Sequence, residues 1–336
     1  MHSAHWGLCT QLPAEGVSTS ATHGDALMNL RKLPRLAVGL AVAVLVTTGC
    51  GSAGGDEVVS GSRGQRPSLV RGVMVVAAGD IACPPGRAAT RTRCQQAATA
   101  RLAARFRPRY VIPLGDEQYE NGQLSAYRST YARTWGRFTR ISRPVPGNHD
   151  YHVAGAAGYF AYFQQETTSP GYYAYDVGPW RVYALNSNCS AVDCGAEAGW
   201  LNQDMTANPR TCTAITMHHP RYSSGSQHGD SPEVRPLWQV AVNHHADLAL
   251  AGHDHEYERF RAMDANGHIT RNGIVSFVVG TGGKGLYKKG RTHVGSVIFA
   301  NRRFGVLGLR LGAGGYSWRF RTIDGRTVDF GVHRCH

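Results

Sequence analysis

Metal-capable side chains follow five separate apolar runs of this 336-residue sequence, at the point where each run ends. In chain order they are Asp80, Asp116, Asn148, His218 and the pair His253 and His255. Ligand sites in α/β proteins lie beyond the carboxyl ends of strands, where loops from different strands meet. Carboxylate, amide and imidazole groups suit iron and borderline divalent metals, and one carboxylate can bridge two ions. The pattern therefore predicts a two-metal centre, which can clamp both oxygens of an in-line displacement at phosphorus.

Other catalytic motifs give no competing assignment. The sequence has no Ser-His-Asp elbow, no Walker loop and no set of kinase loops. Residues 280–285 match G-x-G-x-x-G after an apolar run. A dinucleotide site also needs a helix directly after this motif, and residues 286–290 would break any helix, so we exclude that site. We expect this segment to be a loop beside the metals, in which Lys284 contacts substrate.

Apolar runs and helical stretches alternate through the first two thirds of the chain and give way to strands and glycine turns from Ile274 onward. This order predicts an α/β protein with a mixed sheet or two stacked sheets. The predicted strands are 73–78, 110–114, 144–146, 172–177, 180–186, 212–217, 248–251, 277–279, 304–311, 316–321 and 327–330. The predicted helices are 94–106, 124–135, 200–205 and 232–245.

The motifs at these strand ends resemble those of the calcineurin-like metallophosphoesterases, over about residues 70–285. The matching segments are Gly79-Asp80, Gly115-Asp116-Glu117-Gln118-Tyr119, Gly147-Asn148-His149-Asp150, Met217-His218-His219-Pro220 and the run from Gly252 to Arg259. Gly-Asp-x-x-Tyr and Gly-His-x-His-x-Tyr-Glu-Arg are most similar to the purple acid phosphatases. The resemblance implies a four-layer αββα sandwich of two mixed β-sheets flanked by helices.

The resemblance also implies the ligands of two metal ions. One ion would be held by Asp80, Asp116, Tyr119 and His255, and the other by Asn148, His218 and His253, with Asp116 bridging. Many relatives have a ligand His two residues after the first Asp, where this chain has Ala82. Tyr119 is within reach to replace that donor. Because a phenolate favours ferric iron, the expected pair is iron together with zinc, manganese or a second iron.

Three further residues are expected to act on the substrate. By the resemblance, His149 stabilises the transition state or protonates the leaving group, paired with an acidic neighbour such as Asp150. His228 has the spacing of another substrate-facing histidine, although its Ser- and Gly-rich surroundings are equally typical of a surface loop. His219 is expected to contact the ligands at most.

The predicted function is hydrolysis of small phosphomonoesters by in-line attack of a metal-bound hydroxide. Two alternatives stay open at this point. The same metal site would serve a phosphodiesterase or nucleotidase, and a surface binding protein could have kept the fold without catalysis. The oligomeric state is not predicted.

The N-terminal region predicts export. Met28 precedes a basic start, an apolar run at 36–46 and the sequence Thr47-Thr48-Gly49-Cys50. This pattern indicates a lipoprotein-type signal peptide over residues 28–49, after an upstream extension at 1–27. Cys50 would carry the lipid anchor, and the Gly- and Ser-rich residues 50–68 would form a tether to a catalytic domain at 69–336. Simple secretion and an uncleaved anchor are the alternatives.

The cysteines agree with an oxidising compartment. Without Cys9 and Cys50, six of the eight cysteines are left. Six cysteines allow 15 pairings. Close spacing favours Cys83–Cys94 and Cys189–Cys194, which leaves Cys212–Cys335. Since no pair has C-x-x-C spacing, we expect structural disulfides.

The charge of the chain is strongly positive, at a formal +13 with 32 arginines and 4 lysines. The arginines are scattered, which argues against a dedicated nucleic-acid binder. The densest stretch, from Arg87 to Arg109, is expected to be a solvated helix face. A cationic surface still steers anionic substrates towards the protein.

Overall fold

The computed structural model describes residues 70–164 and 170–336, which contain twelve β-strands. The strands are β1 Val73–Ala78, β2 Tyr110–Pro113, β3 Tyr173–Val177, β4 Trp180–Ala184, β5 Cys212–Thr216, β6 Leu248–Ala251, β7 Tyr257–Phe260, β8 Val275–Val279, β9 Ser296–Ala300, β10 Gly305–Gly312, β11 Gly315–Thr322 and β12 Thr327–Arg334. They form a five-stranded sheet in the order β12-β11-β10-β1-β2 and a seven-stranded sheet in the order β3-β4-β5-β6-β8-β7-β9. Both sheets contain parallel and antiparallel pairs, as predicted.

Helices cover the outer faces of the two sheets. They are α1 Gln96–Arg105, α2 Leu124–Ala126 (continued by a π-helical turn, Tyr127–Tyr131), α3 Ala157–Tyr162, α4 Cys194–Ala207 and α5 Arg235–Asn243, with 3-10 turns at Trp135–Ile141, Asp150–His152, Ala154–Ala156 and Pro232–Val234. One apolar core lies between the sheets and includes Val75, Leu250 and Phe277. A second core packs the seven-stranded sheet against α4 and α5 through Leu201 and Trp238. The result is the predicted four-layer αββα sandwich.

The central strands of the seven-stranded sheet carry almost no polar alternation. Every residue of β5, β6 and β8 is buried. Parallel strands covered on both faces have this pattern, because neither face meets water. The carboxyl ends of these strands are therefore rigidly placed beneath the loops that follow them.

Several sequence expectations are corrected by the structure. The expected strand at 144–146 contributes only an isolated bridge between Val145 and Leu114, and β7 and β9 were not predicted. The expected helix face from Arg87 to Arg109 is helical only over α1. Arg87 and Arg93 lie before that helix, in a loop closed by a disulfide bond between Cys83 and Cys94, and a helix cannot form through Pro84-Pro85.

All three predicted disulfide bonds are present in the structure: Cys83–Cys94, Cys189–Cys194 and Cys212–Cys335. The third joins the start of β5 to the residue after β12 across 123 positions. It therefore links the seven-stranded sheet to the end of the five-stranded one.

The predicted signal peptide (28–49), the lipid anchor at Cys50, the tether (50–68) and the upstream extension (1–27) lie outside the described residues. These assignments stay predictions, as do the boundaries of the catalytic domain. Within residues 70–164 and 170–336, no helix is long and apolar enough to cross a membrane.

Helix α4 begins with a side-chain cap and a buried acid. The Asp193 carboxylate accepts hydrogen bonds from the backbone N–H groups of Gly195 and Ala196, which fixes the start of the helix. Glu197, in the first turn, is fully buried, and its Oε1 accepts a hydrogen bond of 2.8 Å from the Asn186 N–H. Burial raises the pKa of Glu197 to about 8, although that hydrogen bond opposes the shift.

We predict that Glu197→Gln makes the stability of the protein less dependent on pH. Between about pH 4.5 and pH 8 the folded chain binds a proton at Glu197 that the unfolded chain has already lost. The free energy of unfolding of the wild-type protein must therefore fall as pH rises through this range. Glutamine does not titrate and can keep the bond to Asn186. Urea unfolding at pH 5, 7 and 9, with the disulfides intact, measures the difference.

Glu233→Gln is the matched control, because Glu233 is an exposed acid on the turn before α5. Its unfolding free energy should follow the wild-type pH profile. Identical pH profiles for Glu197→Gln and the wild-type protein would show that Glu197 is not held neutral.

Candidate metal centre

The candidate site lies where loops from both sheets meet at the carboxyl ends of β1, β2, β5 and β6. Backbone hydrogen bonds join these loops directly. The Asp80 N–H donates to the Gly115 carbonyl at 3.1 Å, and the Gly252 N–H donates to the His218 carbonyl at 3.0 Å. The His253 N–H donates to Asp80 Oδ2 at 2.9 Å. The predicted ligand residues are therefore positioned by the main chain as well as by side-chain packing.

One group of donor atoms is formed by Asp80, Tyr119 and His255. The Tyr119 hydroxyl donates to Asp80 Oδ1 at 2.8 Å and lies 3.0 Å from His255 Nε2. His255 Nε2 lies 3.2 Å from the same Asp80 oxygen. These three side chains are buried, and their polar atoms point at one another.

A second group is centred on His218. Its Nε2 lies 3.1 Å from Asn148 Oδ1, 3.2 Å from His253 Nδ1 and 3.5 Å from Asp116 Oδ1. His218 Nδ1 faces the Leu114 carbonyl at 2.8 Å, and a carbonyl can only accept, so this nitrogen carries the proton. The lone pair of Nε2 therefore faces the site, which is how a histidine is oriented as a metal ligand.

The structure thus brings together all seven predicted ligands, and Asp116 connects the two groups. Asp80, Asp116 and His218 place ligand atoms within 4.8 Å of one another, as do His218, His219 and His253. The converging donors are carboxylates, imidazoles, a phenol and an amide oxygen. That set fits one or two hard or borderline cations, because it supplies negative charge and several lone pairs directed at a small volume.

Three residues of this site have an uncommon backbone conformation. Asp80, Asp116 and His253 have φ values of 59°, 50° and 72°, in the left-handed region that side chains with a Cβ rarely occupy. Such residues are held there at a cost of about 1–3 kcal/mol each and cluster at functional sites. Gly147 allows a further close approach, since a Cβ there would lie 2.1 Å from Asp116 Oδ1.

Charge and burial oppose each other in their effect on the pKa of Asp80. Burial alone would raise the pKa of Asp80, but His255, His218 and the Tyr119 hydroxyl lower it below its usual value. The pKa of His253 is lowered by burial and by the neighbouring histidines. A buried site with this many acceptors favours a bound cation over protons shared among the side chains.

His149 is placed at the open side of the centre. Its side chain is 26% exposed, its Nδ1 lies 2.6 Å from the Glu120 carbonyl, and its Nε2 lies 3.9 Å from Asp116 Oδ2. The expected partner Asp150 is elsewhere: it is fully buried, accepting from the Gly147 N–H at 2.9 Å and the Tyr127 hydroxyl at 2.6 Å. Asp150 therefore supports the turn that carries Asn148, and the predicted pairing with His149 is absent from the described contacts.

Burial and a nearby charge also raise the pKa of Asp150. Burial, followed by the charge of Asp116, raises the pKa of Asp150 to about 6, although hydrogen bonds from Tyr127 and Gly147 oppose the shift. Glu117 lies in the same buried network, next to the Tyr127 hydroxyl at 3.3 Å. Sequence reasoning missed this network because burial of Glu117 and Asp150 depends on how the loops pack.

The two other histidines near the site behave differently from each other. His228 is exposed, and its ring packs on the His253 ring with centroids 4.0 Å apart. Its expected contact with the substrate stays a prediction. His219 is half-buried, and its Nδ1 lies within hydrogen-bond distance of the Ser187 hydroxyl, at 2.9 Å. The centres of the His219 and His253 rings are 4.4 Å apart. Burial, with the charges of His218 and His228, lowers the pKa of His219 to about 3.

Lys284 lies beside the first group of donors, as expected of the Gly-rich loop. Its ammonium is 4.2 Å from the centre of the Tyr119 ring and pairs with the Glu120 carboxylate. Burial, with the charges of Arg87 and Arg93, lowers the pKa of Lys284 to about 8, although Asp116 opposes the shift. The two arginines were not predicted as site residues, because their approach depends on the disulfide-closed loop.

Comparison with known proteins gives a consistent set of relatives. The family model described as calcineurin-like phosphoesterase matches residues 73–257, which is more than half of the chain. Purple acid phosphatase 23 of Arabidopsis thaliana is 25% identical over 179 residues, covering 46% of this chain and 39% of that protein. This chain spans about two fifths of the length of the curated relatives it matches.

Solved structures support the fold. A purple acid phosphatase from yellow lupin (Lupinus luteus) seeds is similar with a TM-score of 0.63 and 19% identity, covering 82% of this chain and 55% of that one. A dimetal phosphatase from Danio rerio has a TM-score of 0.55 and 14% identity, covering 79% of this chain and 100% of that one. At these identities the likeness concerns the fold.

We predict that Gly147→Ala lowers the metal content of the protein. The new Cβ would lie 2.1 Å from Asp116 Oδ1 and 2.3 Å from the Asp116 nitrogen, so the carboxylate that connects the two donor groups must move. Metal content per chain, measured by inductively coupled plasma mass spectrometry after loading and desalting, should fall by about half or more.

Gly199→Ala is the control, because Gly199 lies within α4 and a Cβ there meets nothing within 4 Å. It should keep the wild-type metal content and gain up to about 1 kcal/mol of helix stability. Equal metal contents in the two variants would contradict the role given to Gly147.

Proposed function

Because this chain belongs to the calcineurin-like phosphoesterase family, we propose that it is an exported phosphatase that hydrolyses small phosphomonoesters at a dinuclear metal centre. The observation that carries this proposal is the convergence of seven donor side chains. Their facing atoms lie 2.8–3.5 Å apart within each group, and Asp116 joins the groups.

The donor chemistry supports particular metals for the two positions. Asp80, Tyr119 and His255 would hold iron, since a phenolate is a donor that ferric iron favours. Asn148, His218 and His253 would hold zinc, manganese or a second iron, with Asp116 shared. When bound, such ions would acidify a water molecule and stabilise the negative charge that builds on the phosphoryl oxygens.

His149 is the residue best placed to assist the leaving group. The Glu120 carbonyl can only accept a hydrogen bond from His149 Nδ1, so Nδ1 carries a proton. Nε2 is therefore the nitrogen that can exchange a proton with the substrate. The side chain is partly exposed beside the donor cluster, within reach of a substrate. Asp150 acts as a positioning residue in this scheme, because it holds the Gly147 turn and is closed off from solvent.

The disulfide bonds support a place outside the reducing cytoplasm. All six cysteines among the described residues are paired, two of them across 123 positions of the chain. Together with the predicted lipoprotein signal, they favour a protein tethered to the outer face of the cell membrane through Cys50, or secreted.

We predict that the full chain, produced in an oxidising compartment and loaded with iron and zinc or manganese, hydrolyses p-nitrophenyl phosphate in preference to bis-p-nitrophenyl phosphate. Asn148→Ala removes an oxygen donor and should lower kcat/KM on both substrates by at least about 100-fold. Asn243→Ala, at an exposed position at the end of α5, is the matched control and should leave both rates unchanged.

The outcomes separate the possible functions. A preference for the diester would move the assignment to a phosphodiesterase or nucleotidase on the same ligands. A protein with two bound metals and no turnover of either ester would be a binding protein that kept the site. Phosphate release that survives Asn148→Ala would mean that another site is its source.

We further predict that His149→Ala slows hydrolysis of poor leaving groups selectively. An alkoxide needs a proton as it departs, whereas p-nitrophenolate is a stable anion. Loss of a general acid should therefore lower kcat on ethyl phosphate by roughly 100-fold or more, and on p-nitrophenyl phosphate by much less.

His152→Ala is the control for this comparison. His152 Nδ1 lies 3.1 Å from the same Glu120 carbonyl, and the His152 ring lies 4.7 Å from that of His149. In sequence, however, His149 is adjacent to the candidate ligand Asn148 and His152 is not. It should reduce both rates to a similar, small extent. An equal loss on the two substrates in His149→Ala would exclude proton donation by His149.

A further inference from the structure

A cavity of about 440 Å³ opens beside the first group of metal-capable donors. Its wall includes His255 of that group, with the Tyr287 ring stacked on the imidazole at 3.9 Å. Three cationic side chains line it: Arg87, Arg93 and Lys284. Among the described residues, Glu120 is the one acidic side chain in the lining.

The cationic wall is attached to the metal motifs by main-chain bonds. The Lys284 N–H donates to the Asp80 carbonyl at 2.9 Å, and the Tyr287 N–H donates to the His255 carbonyl at 3.0 Å. The loop that carries Arg87 and Arg93 is closed by the Cys83–Cys94 disulfide, and the Gln95 N–H next to it donates to the Gly283 carbonyl at 2.9 Å. The main chain that carries the three cations is thus anchored to the segments of Asp80 and His255, while the side chains of Arg87 and Arg93 are exposed.

The charges in this wall are unequally compensated. Lys284 pairs with Glu120 and lies over the Tyr119 ring, so its charge already has partners. The guanidinium groups of Arg87 and Arg93 form no hydrogen bond or ion pair with any other side chain in the described part of the protein. Two arginines that face one cavity without a counter-charge favour an anion, because a guanidinium matches carboxylate and phosphate oxygens with paired N–H donors.

We infer that this cavity binds a second anionic group of the substrate, a carboxylate or a further phosphate, through Arg87 and Arg93. The inference rests on the proposed phosphatase function and specifies its substrate class: phosphomonoesters whose organic part carries another negative charge. A neutral or apolar organic part would leave both guanidiniums unpaired beside the site.

The first test measures binding with phosphonates, which are not hydrolysed. Isothermal titration calorimetry on the metal-loaded full chain compares ethylphosphonate, which lacks a second anion, with phosphonoacetate and methylenediphosphonate. The wild-type protein should bind at least one of the last two about tenfold or more tightly than ethylphosphonate. The carboxylate and phosphate ligands tell the two possible groups apart.

The double variant Arg87→Gln, Arg93→Gln should lose this preference by about tenfold or more. Arg91→Gln is the matched control, because Arg91 is an exposed arginine of the same loop that does not line the cavity. It should keep the wild-type preference. Chelation of metal by the ligands would affect all three proteins alike, so it cannot produce a difference between the two variants.

The second test measures turnover of phosphoglycolate and ethylene glycol bisphosphate, which carry a second carboxylate or phosphate, against ethyl phosphate. The ratio of kcat/KM for an anionic substrate to that for ethyl phosphate should fall about tenfold in the double variant and stay constant in Arg91→Gln.

Failure of this inference is distinguishable from failure of the proposed function. Turnover of ethyl phosphate with equal ratios in all three proteins, and the same binding preference in all three, would overturn the second-anion site and leave the phosphatase standing. Absence of all turnover would overturn the phosphatase, and the calorimetric comparison would still decide whether the arginines bind an anion.

Discussion

The burial of Asp80 and Asp116 is the constraint on which the rest of the site depends. Both carboxylates are almost completely shielded from water, and a buried negative charge is stable only when it is paired. The chain meets this requirement by bringing histidines that follow β5 and β6 of one sheet to aspartates that follow β1 and β2 of the other. The sandwich, the left-handed backbone at the aspartates and the absent Cβ at Gly147 all serve that approach.

The fold follows from the sequence wherever local pattern and tertiary environment agree. Strands β1 and β6 begin and end where the apolar runs do, because both are enclosed on two faces. Strand β7 could not be recognised, since its buried residues include Glu258 and Arg259, whose partners are brought to them only by folding. The Glu258 carboxylate accepts hydrogen bonds from the Ser224 and Ser296 hydroxyls. Arg259 pairs with Asp329, which is 70 residues away and belongs to the other sheet. Such partners are invisible to periodicity.

In the candidate site too, sequence motifs predict some positions, and the packing of the loops determines others. Six of the seven candidate ligand positions are predictable because each follows an apolar run, and strand ends converge in this class of fold. Tyr119 is expected only from the family resemblance and its spacing after Asp116. The place of Asp150 was not predictable, because neighbours in sequence need not face each other. The His149 side chain is partly exposed to solvent, whereas the Asp150 carboxylate accepts a hydrogen bond from the Tyr127 hydroxyl. The approach of Arg87 to Lys284 depends on a disulfide bond and on the packing of two loops.

In the proposed function, recognition of substrate is divided between the metal centre and the side chains placed by loop packing. A dinuclear centre binds the phosphoryl group that every phosphomonoester presents, so it contributes little to a choice among them. The formal charge of +13 attracts all anions and also fails to discriminate. Discrimination must come from side chains at fixed distances from the reacting group, and the wall formed by the Cys83–Cys94 loop and the residues around Lys284 has that property. On the inferred second-anion site, the disulfide that holds this loop would therefore contribute to specificity as well as to stability.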